Sequence, residues 1–155
     1  MDEASWIQFK TAIHNKCLEI VQQQLDTIQS SMDQLMEAKS NETKSSAGDK
    51  YETGMAMIQN QEDLYRRQHM DTASKLQLLK SIDPTVTHQK IDQGSLVELS
   101  TGWFYISVAL GKLDLNEREV FVLSLQSPLG ILLKGRSAGD QVTFNGKQII
   151  VKTVH

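Results

Sequence analysis

The chain has one cysteine, two prolines and no long apolar run in 155 residues, and each scarcity excludes something. A lone Cys17 rules out an internal disulfide and any multi-cysteine zinc site, and it weakly favours a reducing compartment. His14, His69, His88 and His155 are scattered without metal-ligand spacing. A thiol nucleophile would need a base and an oxyanion site in a pocket, which a helical stalk around Cys17 does not offer, and the length is too short for the large cysteine-dependent enzyme folds. No stretch approaches the roughly 20 apolar residues that cross a bilayer, and no leading segment has a signal-peptide core. The expectation is a cytoplasmic protein with no membrane association. A formal charge of −3 is too mild for a protein that blankets duplex nucleic acid.

Apolar residues make up 39% of the chain, below the globular share of about 45–50%, so part of it has little core of its own. The excess negative charge lies in the first half: twelve acidic against nine basic side chains up to residue 80, and seven of each thereafter. From Ala4 to Ala38 there is no Gly or Pro. Leu18, Val21, Leu25, Ile28, Met32 and Leu35 alternate at spacings of three and four, a heptad stripe between polar residues. A helix of that length, about 50 Å at ~1.5 Å per residue, cannot satisfy one narrow stripe alone.

The partner is the next helical segment, from about Glu52 to Ser81, with Met55, Ile58, Leu64, Tyr65, Ala73, Leu76 and Leu79 as its apolar positions. Met55/Ile58 and Leu76/Leu79 share one heptad frame, with Glu62, His69 and Thr72 between them. An antiparallel pair follows, zipped near its base and looser in the middle. Lys39–Tyr51, rich in Ser, Asn, Gly and Asp, reads as the connecting loop. Asp83-Pro84 ends the second helix, because the residue before proline is pushed out of helical geometry.

Beyond Pro84 the period becomes alternating. Ser95–Leu99, Trp103–Leu110 and Glu119–Leu125 read as strands, the last two joined by a polar turn at Lys112–Arg118. Ser127 and Pro128 start a short helix to Lys134, the serine as cap and the proline at the first helical position. Gln141–Phe144 and Gln148–Val154 form a hairpin around Asn145-Gly146. The fold class is α+β: an antiparallel coiled-coil hairpin over residues 1–82, then a small antiparallel sheet with one helix over residues 83–155. The aromatics Trp103, Phe104, Tyr105 and Phe121 read as core, and Met32, Met36, Met55 and Met57 as gap-fillers along an irregular seam.

Two motifs carry chemistry. Gly48-Asp49-Lys50-Tyr51-Glu52 places two carboxylates between the helices. Ser127-Pro128 is followed by Leu133, Gly135, Gly139 and Asp140 and then by the closing hairpin. In this order over nearly the whole chain, they resemble the bacterial Gre transcript-cleavage factors, the first matching that family's Gly-Asp-x-x-Glu tip. After Glu52 the chain reads Thr53-Gly54-Met55-Ala56 where the family continues Asn-Ala-Glu-Tyr, and Gln126 stands where the family often has Asp or Asn. Gly54 softens the start of its helix by about 1 kcal/mol relative to Ala.

The resemblance implies an FKBP-like C-terminal domain that docks on RNA polymerase at its secondary channel, through Gln126, Ser127 and Pro128. It also implies a tip at about residues 39–53 whose Asp49 and Glu52 act at the polymerase active site, with Glu42 a more distant candidate. There they would help hold the polymerase's second Mg2+ and orient the water that cleaves backtracked RNA. Magnesium suits this role, since it commonly takes one or two carboxylates and completes its shell with water and phosphate. Lys39, Lys44 and Lys50 would steer the tip toward the phosphates of the nascent RNA. On this reading the chain is a monomeric accessory factor rather than an enzyme, with no cofactor of its own. Three alternatives stand beside it: a channel-binding regulator of the same fold that inhibits the polymerase, a peptidyl-prolyl isomerase or chaperone using the aromatics, and a coiled-coil adaptor dimerising through residues 4–38.

Overall fold

The computed structural model describes the backbone of residues 2–45 and 49–155 and the side chains of residues 2–41 and 51–155. Two long helices come first, α1 (Glu3–Ser45, 43 residues) and α2 (Asp49–Lys80, 32 residues). The expected loop at Lys39–Tyr51 is therefore much shorter than its composition implied. Helix α1 continues to Ser45, and α2 already starts at Asp49. Ser, Asn and Thr are only mildly unfavourable inside helices, and Lys39, Glu42 and Lys44 favour them, so propagation along an established helix outweighs the turn chemistry. Among the described residues no helix is long and apolar enough to cross a membrane.

Contacts divide the chain into two units. One is Glu19–Leu76, the body of the helical hairpin. Residues that ascend along α1 meet residues that descend along α2: one groove is lined by residues between Ile20 and Ile28 on α1 and between Gln68 and Lys75 on α2, and further along Met32 and Met36 lie beside Glu62 and Arg66. The expected stripe of α1 faces inward, with Val21 buried and Leu25, Ile28, Met32 and Leu35 half-buried. On α2 the inward positions run Met55, Ile58, Glu62, Tyr65, His69, Thr72 and Leu76, an unbroken heptad frame in which three members are polar. Leu64 lies off this frame and is exposed. Among the described residues, only Val21, Thr72 and Leu76 are buried here, so the seam is thin.

The other unit is Met1–Leu18 with Gln77–His155. It contains six strands: β1 (Leu96–Leu99), β2 (Gly102–Ile106), β3 (Gly111–Leu115), β4 (Arg118–Leu123), β5 (Gln141–Phe144) and β6 (Lys147–Val154), with α3 (Pro128–Leu133) between β4 and β5. They form one sheet in the order β3-β4-β2-β1-β6-β5. All pairs are antiparallel except β2 and β4, which run parallel with Trp103 opposite Val120 and Ile106 opposite Leu123. Strand β3 falls where a simple polar turn was expected. Its hairpin with β4 closes on Asn116 and Glu117, both at positive φ (52° and 65°), the backbone of a type I′ turn. Inserting β3 at the sheet edge turns the chain twice and makes β4 enter parallel to β2.

The sheet is covered on both faces. On one, Trp6, Phe9, Ile13 and Cys17 of α1 follow helical spacing, and Trp6 and Phe9 pack on Trp103 at ring separations of 4.8 and 6.1 Å. On the other, α3 seals a core of Ile91, Val97, Leu99, Phe104, Ile106, Leu133, Val142, Ile149 and Val151, all 8% exposed or less. The connection from α2 is fixed by Asp83, whose Oδ1 accepts from both the amide (2.9 Å) and the hydroxyl (2.6 Å) of Thr85.

Candidate functional site

The tip positions sit at the start of α2. Asp49 opens the helix and Glu52 follows three residues later, the spacing at which two helical positions are neighbours. The Glu52 side chain is exposed; the side chains of Asp49, Glu42, Lys44 and Lys50 lie outside the described residues. A carboxylate in the first turn of a helix is favoured by the unpaired amides and the dipole there. Lys39 is engaged across the hairpin, with its Nζ 3.3 Å from Oε1 of Glu62. That contact gives the polar seam position Glu62 a partner and ties Lys39 to α2 as well as to α1.

The C-terminal candidates come together at one corner. Ser127 is the N-cap of α3: its Oγ accepts from the Gly130 amide at 3.0 Å and donates to the Ser124 carbonyl at 2.7 Å. Pro128 occupies the first helical turn and is exposed. Gln126 is also exposed, its amide donating to Ser124 Oγ and its Oε1 accepting from that hydroxyl, both at 3.1 Å. Ile131, 64% exposed, lies one turn further along the same helix. Gln126, Pro128 and Ile131 thus form a small surface with an apolar centre, held by the Ser127 cap.

A residue that sequence reasoning did not single out sets how closely this corner folds. A Cβ on Gly130 would stand 2.2 Å from the Ser124 carbonyl oxygen and 2.9 Å from the Cα of Leu125, so only glycine lets α3 lie against the turn that precedes it. Gly135 and Gly139 have positive φ, 80° and 94°. Gly135 donates to Ile91 O at 2.8 Å, and Gly139 to Val151 O at 2.7 Å. Asp140 Oδ2 accepts from the Ser137 amide at 2.8 Å. These three residues of the motif build the turn from α3 into β5.

The structure also reveals a buried polar row on α1 that the sequence reading passed over. Lys10 is 1% exposed, and its Nζ donates to the carbonyls of Val86 (2.7 Å) and His155 (3.2 Å). Burial lowers its pKa to about 8, opposed by the charge of Asp83. One turn on, His14 Nδ1 lies 2.8 Å from the hydroxyl of buried Tyr105; burial, then the Lys10 charge, holds this imidazole below its ordinary pKa. Cys17 is fully buried and its thiol is pushed up to about 12 by desolvation, which makes it inert. The available signal was the spacing Trp6, Phe9, Lys10, Ile13, His14, Cys17, one helical stripe with two polar members. Lysine is so rarely buried that the pattern reads as broken there.

Phe104 and Tyr105 are buried as expected, whereas Trp103 is half-buried and Phe121 is 36% exposed, stacked on Phe104 at 5.5 Å. Tyr105 points its hydroxyl at His14 and Phe104 packs in the α3 core, so these rings are committed to packing. Among the described residues no group of three His, Cys, Asp or Glu side chains gathers as a metal site. The arrangement lends itself to presenting groups to another molecule: an exposed carboxylate at the end of long helices, and a rigid corner with an apolar centre.

No family model matches the chain, and no curated protein matches it. It is similar to the solved structure of the transcription factor Gfh1, at 19% identity and a TM-score of 0.37, with 90% of this chain and 93% of that chain covered. It is also similar to the crystal structure of the GreA factor homolog 1 protein of Thermus thermophilus, at 16% identity and a TM-score of 0.34, with 89% and 94% covered.

Proposed function

We propose that this chain is a Gre-like accessory factor of RNA polymerase. The observation that carries the reading is the placement of Asp49 and Glu52 in the first turn of α2, where two helices of 43 and 32 residues meet. The part of α1 that belongs to the hairpin, from Glu19 to Ser45, is about 40 Å long at ~1.5 Å per residue, enough to carry a carboxylate into a deep channel. The Ser127-capped corner of Gln126, Pro128 and Ile131 supplies the docking surface. The tip carboxylates join the polymerase's own site and help place its second Mg2+, while Lys39, Lys44 and Lys50 lie near the RNA phosphates. The ion belongs to the polymerase: one or two carboxylates are a partial shell that phosphate and water must complete. The protein acts as a monomer, because the α1 stripe is covered by α2 of the same chain, and it works in the cytoplasm.

The test is RNA cleavage in a stalled, backtracked elongation complex with magnesium, with and without the protein. Release of a 3′ fragment is expected to accelerate. Asp49→Ala with Glu52→Ala should abolish the acceleration while leaving polymerase affinity unchanged; a double variant as active as the parent removes the tip assignment. Saturable binding without cleavage would replace the reading with that of a channel-occupying regulator.

A further inference from the structure

The five methionines beyond Met1 all fall between residues 32 and 70, and the last 85 residues contain none. Met36, Met57 and Met70 are 64%, 68% and 64% exposed. Met32 and Met55 are half-buried at inward positions of the seam. Beside Met32 and Met36 lies a gap of about 110 Å³, closed by Leu35, Glu62 and Arg66. A water takes about 30 Å³ of liquid, so this gap admits a molecule the size of hydrogen peroxide to a thioether facing it. The single thiol, that of Cys17, is fully buried and in the other unit.

We propose that the hairpin is an oxidation-responsive element in which a peroxide converts Met32 and Met55 to sulfoxides and thereby loosens the seam. The thioether sulfur attacks one peroxide oxygen, the O–O bond breaks, and the other oxygen leaves as water after proton transfer. Sulfur is oxidised by two electrons and the peroxide is reduced. The product turns a flexible apolar side chain into a polar one. In most cores such a change is diluted among many contacts. Here the inward frame of α2 already includes Glu62, His69 and Thr72, so Met32, beside Glu62 and Arg66, has few apolar neighbours to absorb the change, and Met55 occupies the same thin frame. At Met32 the new oxygen would face Arg66, a donor that draws it away from the seam. The three exposed methionines react first but, being 64–68% exposed, bury little apolar surface, so they act as scavengers and do not report. Reversal needs a thiol-dependent reductase that removes the oxygen as water.

The experiment treats the intact protein with hydrogen peroxide, maps oxygen addition by peptide mass spectrometry and follows helix melting by circular dichroism. Met36, Met57 and Met70 are expected to gain oxygen first without a change in melting. Met32 and Met55 follow, and the helical transition then shifts down by several degrees, recovering on treatment with a methionine sulfoxide reductase. Met32→Leu with Met55→Leu, a swap that conserves volume, should fold normally and keep its transition under peroxide. Oxidation of Cys17 before the methionines overturns the proposal. So does an unshifted transition once Met32 and Met55 are fully oxidised, or an equal shift in the double leucine variant.

Discussion

The two units solve the same problem, covering a stripe on a long helix, with opposite strategies. In Met1–Leu18 with Gln77–His155, the start of α1 lies on a sheet whose other face is sealed by α3, and the nine residues of the core there, Leu133 of α3 among them, are 8% exposed or less. Even the polar groups of its α1 stripe are satisfied: Lys10 by two carbonyls and His14 by a tyrosine hydroxyl. In Glu19–Leu76 the same helix meets another helix, three of the seven members of the α2 frame are polar, and a groove of about 610 Å³ opens along it. A sheet offers two faces and many neighbours, while a helix pair offers one line of contact. The first unit is built for rigidity and the second for reach.

The comparison breaks most severely through Gly130. Gly130→Ala forces a Cβ into the Ser124 carbonyl and should destabilise the sheet unit by about 3 kcal/mol. Amide hydrogen exchange resolved by residue should show the loss in β1–β6 and not between residues 19 and 76; equal loss in both units would contradict the division. Acid is the next lever. His14, His88 and His155 are all held below their ordinary pKa of 6.5, chiefly by burial. As pH falls through 6.5 the unfolded chain takes up protons before the folded one, so stability is lost on the acid side. Urea midpoints between about pH 7.5 and 5 should fall for the sheet unit, since all three imidazoles belong to it.

Tyr105→Phe leaves buried His14 Nδ1 without its partner and should cost about 1–2 kcal/mol, read as a lower urea midpoint with an unchanged slope. The smallest effects belong to the hairpin. Lys39→Ala removes a pair in which the lysine is 39% exposed, so its loss should stay below about 0.5 kcal/mol. Glu62→Leu would sharpen the contrast by filling a polar seam position, raising helix melting by a few degrees. A drop with Glu62→Leu would show that the ion pair, and not apolar contact, holds that stretch together.

Much of this was legible in the residues. Asn145-Gly146 announces its hairpin because both residues tolerate positive φ, and the structure has them at 50° and 77°. Asn116-Glu117 forms the same kind of turn unannounced, since glutamate has no special ease at φ 65°, and so β3 was hidden. The parallel pairing of β2 and β4 was equally invisible, because neighbouring runs in sequence suggest a hairpin. The Ser127 cap and the turn at Gly139-Asp140 were readable from local chemistry, whereas Gly130 matters only through a contact with the chain folded back on it. At the tip, Glu52 stands exposed near the start of α2. The extent of the loop was misjudged because polar composition was weighed without the helix already running into it.

The ammonium of Lys10 has a consequence for the order of events during synthesis. It bonds the carbonyl of His155, 145 positions later, and β6 pairs with β1 next to that contact. The sheet unit therefore closes only once β6 has been made, and until then the opening turns of α1 wait without the His155 carbonyl that Lys10 bonds and without the strand that completes β1. The hairpin body is contiguous, so it can zip as soon as α2 emerges. A chain interrupted before β6 would hold a closed helical hairpin and an unclosed sheet unit, the species that quality-control proteases and chaperones would meet first.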